Sequence, residues 1–476
     1  MKDIRKLKIG LAGVMVTPFR GDKEGNYQQD RLFLQHLAET FRFELKTVDQ
    51  GIYTQEQAVN AAKLLSDWGA DFILLQSSSF AAGQFIYPFA DTGVRLGLWA
   101  VPEGPPTAEG GLPLNSFTGL NLYNSILKTY LTDYQQPVKW FFGRPGQPLF
   151  DERLRVTIQA LTAVTHLQTA RIGLIGGVAP GFDNLIIDPR NLKRKIGAEM
   201  ISLELDVVLK QAQNLEDESE IQSTAQAFVT EKVHLDQRLT NHLHKLSRLQ
   251  IAVQHTADQL GLDAIAISCW PRFQADYGVA VCSLMGQLNT VGLVAACEGD
   301  VPSATGMLAL TYLSGGDVVT LMDLVTVDAQ DDSVLLWHCG PTSPSLADEN
   351  GTRMQSLWLF DQDQKPPTGL HNDLVLKPGR ATVAGFTPDF ENLLVLDGEI
   401  DNLKPSYMGS RGWYRKISVA GESATIPELV QTIMVSGYQH HYPLAYGHLT
   451  PGALEMAAWL GIIPLARQPY TDHLVL

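Results

Sequence analysis

Short apolar runs alternate with amphipathic stretches along the first part of the chain. "KIGLAGVMV" (residues 8–16), "FELKTV", "ADFILLQ" and "VRLGLWAV" are brief and rich in branched or aromatic side chains, as buried strands are. Between them, "DRLFLQHLAETF" and "QEQAVNAAKLLSDWGA" set apolar residues three and four positions apart, which predicts helices packed on a sheet. Strand–helix–strand order of this kind predicts a doubly wound parallel sheet. A Pro- and Gly-rich interval, "VPEGPPTAEGGLPLNSFTG" (residues 101–119), interrupts the pattern and reads as a lid or an interface loop.

A helix, "DERLRVTIQALTAVTHL", then leads to "ARIGLIGGVAPGF", where a second α/β unit begins near residue 169. Its glycines match neither GxGxxG nor GxxxxGK[ST], so a tight strand-to-loop turn explains them better than a nucleotide loop. "TAQAFVTEKVHLDQRLTNHLHKLSRLQIAVQHTADQLGL" (residues 224–262) is helix-periodic and charged, and predicts one long helix with His234, His242, His244 and His255 as solvated residues. Four further runs follow: "LDAIAIS" before Cys269 and Trp270, "VGLVAAC" before Glu298, "DVVTLM" before Asp323 and "DSVLLW" before His338. "PSATGMLALTYLSGG" lies between the second and third as a helix, with Pro302 near its start and glycines at its end.

Beyond residue 345, "SLWLFD", "LVLKPGRATVAGF", "NLLVLDGEI" and "WYRKISVAG" are short runs parted by turn residues, which predict an antiparallel sandwich or barrel. One closing helix, "PGALEMAAWLGI", follows. The expected fold class is α/β: two doubly wound parallel-sheet domains (1–168 and 169–345), then a C-terminal antiparallel β-barrel-like domain (346–476). A chain of 476 residues exceeds what one core organises.

Charge narrows the partners. Lys and Arg number 36 against 51 Asp and Glu, and a surface of that sign repels phosphate backbones and anionic lipid. No nucleic-acid or membrane partner is expected, whereas an anionic small substrate needs only a few local cations. The N-terminal apolar run is broken by Pro18, Arg20 and Asp22, so it reads as a buried strand rather than a signal peptide. A cytoplasmic protein is expected. The four cysteines form no CxxC pair and read as reduced, structural thiols.

The chemistry centres on Glu298 and Asp323, each placed just after an apolar run. Parallel strands joined by the intervening helix would bring both to one sheet edge, where open α/β sheets bind ligands, with Trp270 and His338 nearby. Paired carboxylates in a partly dry crevice need a shared proton or a cation. Oxygen ligands and an imidazole, without a thiolate cage, suit a Mn²⁺ or Mg²⁺ type of ion. Taken singly, either acid reads as a helix or loop cap, and Asp300 looks well suited to that role.

"ACEGDVPSATGML", "LMDL", "HCG" and "GYQHHYPLAYGHLTPGALEMAAWLGIIP", in that order, resemble the L-fucose isomerase and L-arabinose isomerase superfamily across residues 260–465. The resemblance implies two α/β domains before a barrel-like one, and Mn²⁺ (or Mg²⁺ or Co²⁺) held by Glu298, Asp323 and His441. It implies aldose–ketose isomerisation of a monosaccharide through an enediol, with Glu298 and Asp323 sharing the proton transfers. His440 falls on the substrate side and His448 behind the ligands. His338 matches a metal-ligand histidine of the arabinose type but not of the fucose type, so its role stays open, with substrate binding the expectation for it and for Trp270. Phe80, in "QSSSFAAGQ", matches an aromatic that reaches a neighbouring subunit's site, in keeping with a homo-hexamer or tetramer. Some relatives act on sulfoquinovose, whose sulfonate would need a cation such as Arg20, Arg144 or Arg411. A non-catalytic sugar-binding or regulatory protein on the same fold is the alternative.

Overall fold

The structure, a computed structural model, describes residues 4–21, 23–108, 110–356 and 369–474. It separates into two compact units, Arg5–Thr165 and His166–Leu476 with Met1–Ile4.

In the first unit, five strands pair in parallel throughout: Lys8–Val14, Glu44–Thr47, Phe72–Ser77, Arg95–Ala100 and Val138–Phe142. Numbered in chain order they stand 2-1-3-4-5, a doubly wound arrangement. The near-continuous apolar runs of the sequence follow from this, since Phe72–Ser77 is buried at all six positions. In the interval 101–119 the described residues before the helix Ser116–Thr129 form no helix or strand, and the Glu103 carboxylate fastens the far end by accepting the backbone N–H groups of Leu114, Asn115 and Ser116.

The second unit holds a four-stranded parallel sheet and a closed barrel. Across the sheet the order is Val294–Ala296, Ala264–Ile267, Arg171–Ile175 and Glu199–Leu203. The barrel has six antiparallel strands: Thr320–Asp328, Ser333–His338, Ser410–Val419, Asn392–Asp401, Gly379–Phe386 and His441–Tyr446, with the last pairing back onto the first. Closure leaves these strands no free edge. Met322, Val334, Leu336, Val383, Leu394, Leu396, Tyr414 and Leu444 lie in its buried core.

The expected α/β class with a terminal barrel is what the structure shows, but the route between the two carboxylates differs from the sequence reading. Thr320–Asp328 does not return to the parallel sheet beside Val294–Ala296; it is a barrel strand, antiparallel to Ser333–His338 and to His441–Tyr446. The helix between, Val301–Ser314, is buried almost all round because it carries the chain from the sheet to the barrel wall. Gly306 permits the approach, since a Cβ there would stand 2.6 Å from the Ala384 carbonyl oxygen. The alternating "LVTVD" and the Asp331–Asp332 turn before "SVLLW" are hairpin signals that oppose the crossover reading.

The long helix expected over residues 224–262 is divided. Helices Glu218–Phe228 and Thr240–Leu260 flank a short strand, Val233–Leu235, which pairs in parallel with residues 352–354. Long-range pairing overrides the local helical period there. A helix at Ile426–Ser436 lies where only strands and turns were expected. Its signals are present: Thr425 and Glu428 form a capping box, Pro427 stands in the first turn, and Gly437 ends the helix at φ 65°. Of the expected run "SLWLFD", Ser356 ends the strand Ala347–Ser356 and the remainder falls outside the described residues. No helix among the described residues is long and apolar enough to cross a membrane.

Candidate functional site

Glu298 follows the edge strand Val294–Ala296 in a left-handed turn, with φ 61° at Glu298 and φ 75° at Gly299. Such a conformation costs a non-glycine residue about 1 kcal/mol or more. The surroundings hold it: Gly299 donates its N–H to the Ile267 carbonyl at 2.9 Å, and Ala179 donates to the Glu298 carbonyl at 2.9 Å. A Cβ on Gly299 would run into the Gly177 carbonyl oxygen, so the turn accepts only glycine after the glutamate. The Glu298 side chain is therefore aimed from the carboxyl edge of the parallel sheet.

Asp300 begins the helix Val301–Ser314 by accepting the Ser303 N–H at 2.8 Å. Its other oxygen lies 2.7 Å from His441 Nδ1, both side chains being fully buried. His441 opens the strand His441–Tyr446 and stands directly opposite Asp323 in the antiparallel register. His441 Nε2 is 3.6 Å from Asp323 Oδ1 and 3.4 Å from Glu298 Oε2. His440 Nε2 reaches Glu298 Oε2 at 3.2 Å, and the His338 ring stacks on that of His441 with centroids 5.5 Å apart. Ligand-capable atoms of Asp323, His338 and His441 lie within 4.8 Å of one another, as do those of Glu298, His440 and His441.

Hydrogen-bond partners assign the proton on each ring. Asp300 accepts from His441 Nδ1–H, so Nε2 keeps its lone pair toward the two carboxylates. His338 Nδ1 accepts the Cys339 N–H at 2.8 Å, which leaves the proton on Nε2. His440 Nδ1 faces the Asn184 amide at 3.2 Å, and its ring stacks on Phe182. With that amide donating, His440 Nε2–H donates to Glu298. One lone pair and two N–H donors thus face the same space.

Three buried atoms here have no hydrogen-bond partner among the described residues: Asp323 Oδ1, His338 Nε2 and His441 Nε2. Each orphaned polar group costs about 1–3 kcal/mol, and these three, on residues whose ligand-capable atoms gather within 4.8 Å of one another, make a place suited to a polar ligand or a cation. Burial first, then the Glu298 charge, raises the Asp323 pKa against the opposing His338 and His441. Burial pulls the His338 imidazole down, but Asp323, Cys339 and Glu298 outweigh it and push its pKa up to about 10. The hydrogen bond from the Cys339 N–H opposes that second proton, because a protonated Nδ1 would face another donor. We therefore assign His338 as the neutral Nε2–H form beside the two carboxylates.

Of the residues expected from the sequence, Glu298, Asp323, His338, His440 and His441 come together. The premise that Asp323 and His338 end strands of a parallel sheet does not hold, since both lie on barrel strands. Trp270 is 40% exposed just beyond Ala264–Ile267, one residue after Cys269, whose Sγ touches that of Cys297 at 3.2 Å. Phe80 belongs to the first unit, packed on Phe19 with ring centroids 6.1 Å apart. His448 does not stand behind the candidate ligands; its Nδ1 lies 2.7 Å from Asp397. Arg144 is committed to Asp30 and Asn26, and Arg411 to Asp373, whereas Arg20 is exposed with no ion pair among the described residues. Sequence reasoning missed Asp300 as the partner of His441, and Phe182 and Asn184 as supports of His440. The glycine-rich "IGGVAPGFDN" stretch that carries the last two sits at the carboxyl edge of the same sheet, a position that could have flagged them.

Carboxylates, one imidazole lone pair and imidazole N–H donors at a sheet edge are groups able to hold a small polar molecule and to exchange protons with it. No family model matches the chain. It is 29% identical over 396 residues to sulfoquinovose isomerase of Priestia megaterium (strain ATCC 12872 / QMB1551) and of Priestia aryabhattai, covering 82% of this chain and 84% of each relative. Sulfoquinovose isomerase of Alkalicoccus urumqiensis is 28% identical over 392 residues, 81% of this chain and 84% of that protein. Among solved structures, an ABC transporter solute binding protein from Burkholderia multivorans matches at a TM-score of 0.19 and 11% identity over 66% of this chain and 95% of its own, too weak to bear on fold or function. The relatives support a sugar aldose–ketose isomerase.

Proposed function

We propose that the chain is a divalent-metal-dependent isomerase that converts sulfoquinovose, a sulfonated aldose, to the corresponding ketose. The observation that carries the metal is the convergence of unpartnered Asp323 Oδ1 and His441 Nε2 beside Glu298. Glu298, Asp323 and His441 would hold it, an oxygen-rich set with one imidazole that suits Mn²⁺, or Mg²⁺ or Co²⁺. When bound, such an ion supplies Lewis acidity to neighbouring sugar oxygens.

The chain's own groups do the rest. One of the two carboxylates takes the proton from C2 of the aldose and returns it to C1 through an enediol, while the other moves the hydroxyl proton between the C1 and C2 oxygens. His440 holds Glu298 in place through Nε2–H, and Phe182 and Asn184 hold His440. His338 offers its Nε2–H to a sugar oxygen rather than a lone pair to the ion. Trp270 presents an exposed ring for the sugar's apolar face at the same edge. Of the three arginines named for a sulfonate, Arg20 is the exposed one with no ion pair among the described residues. We place the working form in the cytoplasm as a homo-hexamer or tetramer in which Phe80 completes a neighbour's site.

The test is protein stripped with chelator and reloaded with Mn²⁺, followed by NMR on sulfoquinovose. Ketose should appear, and Glu298→Gln should lower kcat by about 10²–10⁴-fold. Absence of turnover across sulfonated, deoxy and pentose sugars would refute the reading. Sugar binding without exchange of the C2 hydrogen would point instead to a binding protein.

A further inference from the structure

The chain has four cysteines, all without disulfides, and the proposed reaction uses none of them. They come from four separate segments, yet every thiol has another thiol as its neighbour. Cys269 Sγ lies 3.2 Å from Cys297 Sγ, and Cys282 Sγ lies 3.5 Å from Cys339 Sγ. Both pairs reach the same place, since Cys297 lies beside Glu298 and His338 and Cys339 adjoins His338, so the four thiols form a short string there. Buried cysteine ordinarily packs as a small hydrophobe, and packing by volume gives no reason to set thiol against thiol in every case.

The string backs onto the functional cluster. Cys297 precedes Glu298, and its Sγ lies within 4.8 Å of ligand-capable atoms of Glu298 and His338. Cys339 follows His338 and supplies the N–H that fixes the imidazole's proton on Nε2. Cys339 is also the one cysteine that is partly exposed, the other three being buried.

We propose that this string is an oxidation site at which hydrogen peroxide closes a Cys282–Cys339 disulfide, and that the resulting shift of Cys339 loosens His338 and lowers activity. In the first step the Cys339 sulfur attacks one peroxide oxygen. An S–O bond forms, the O–O bond breaks, and the departing hydroxide leaves as water with the thiol's proton. In the second, the Cys282 sulfur attacks the Cys339 sulfur, an S–S bond forms, the S–O bond breaks, and water leaves with the Cys282 proton. Two thiols lose two electrons and peroxide gains them. The sulfurs need approach only from 3.5 Å to the bonded separation of about 2.05 Å. Closing the remaining gap strains the Cys339 backbone as well as turning its side chain, and the hydrogen bond its N–H gives His338 Nδ1 is the contact next to that strain. A reductant reopens the bond, which suits a reducing compartment where such disulfides are transient.

The disulfide rests on the thiol string alone; its effect on activity rests on the reading above. Full-length protein treated with peroxide should fall from four free thiols to two, lose two hydrogens in intact mass and yield a Cys282–Cys339 cross-linked peptide. Mn²⁺-loaded activity should drop at least about tenfold and return with dithiothreitol. Cys282→Ser should match the untreated parent and keep its activity under the same peroxide. Four surviving thiols, a cross-link between other cysteines, or equal loss in Cys282→Ser would overturn the site. A mapped disulfide that leaves both Mn²⁺ affinity and turnover unchanged would overturn the coupling to His338. Thiol count and peptide map are read without any turnover, so failure here is separable from failure of the isomerase reading.

Discussion

Each compact unit buries a cluster of polar and charged side chains, and the two clusters differ in one respect. In the first unit, Asp30 is 1% exposed and accepts from Arg144 at 3.0 Å and from Gln76 at 2.9 Å. Arg144 also donates to Asn26, and Ser78 donates to Gln76. None of these five residues has a buried polar atom without a partner among the described residues. In the second unit, Asp323, His338 and His441 each keep one such atom. The first cluster is closed by the chain's own groups and reads as structural. The second is left open by them, and an opening that costs stability persists where a ligand fills it.

The largest expected effect tests the open cluster. Asp323→Asn should lower Mn²⁺-loaded kcat by about 10²–10⁴-fold while raising the stability of the metal-free protein, because a buried unpaired charge is removed. Calorimetric unfolding of parent and variant without metal checks the second half, and a less stable variant would contradict the open-cluster reading. In the closed cluster the sign reverses. Arg144→Met leaves the buried Asp30 carboxylate unpaired and should destabilise the protein by about 3 kcal/mol, seen in urea unfolding, with Mn²⁺ affinity unchanged.

A smaller effect separates the two duties of Asp300. Ser in its place can still cap the helix Val301–Ser314 but cannot hold His441 Nδ1 as a carboxylate does. Asp300→Ser should weaken Mn²⁺ binding by about 10–100-fold in isothermal titration while helix content by circular dichroism stays the same.

The smallest effect is in the pH dependence of metal-free stability. Asp323 has a raised folded-state pKa, so it contributes stability that is full at low pH and is lost as pH rises through the folded value. The loss begins in the ordinary carboxylate range and runs up to the raised folded value. Metal-free protein should therefore show a larger drop in Tm between mildly acidic and alkaline buffer than Asp323→Asn does. Equal slopes would mean that the Asp323 carboxylate is not held in an uncompensated state.

Much of the site was legible because acids placed after apolar runs and a late His-His pair carry their own signal. Glu298, Asp323 and His441 converge as expected, although by another route: an apolar helix crossing to a barrel instead of a crossover within one sheet. Asp300 was read only as a cap, because local sequence shows the helix start it serves and not the histidine well over a hundred residues later that its second oxygen meets. Phe182 and Asn184 were missed for the same reason, since the turn that carries them looks like any tight glycine-rich loop. The helix Ile426–Ser436 is a different kind of omission, its capping box and flanking Pro and Gly being local and present.

By itself the sequence determined the elements, the α/β class, the terminal barrel texture and the identity of the acids, because period, capping and turn chemistry act over a few residues. Which sheet Asp323 joins, which nitrogen of each histidine keeps its lone pair, and the gathering of four scattered thiols were decided only by the tertiary structure. Those features are pairings between residues far apart in the chain. Long-range packing and the satisfaction of buried polar groups choose such partners, and no local pattern encodes that choice.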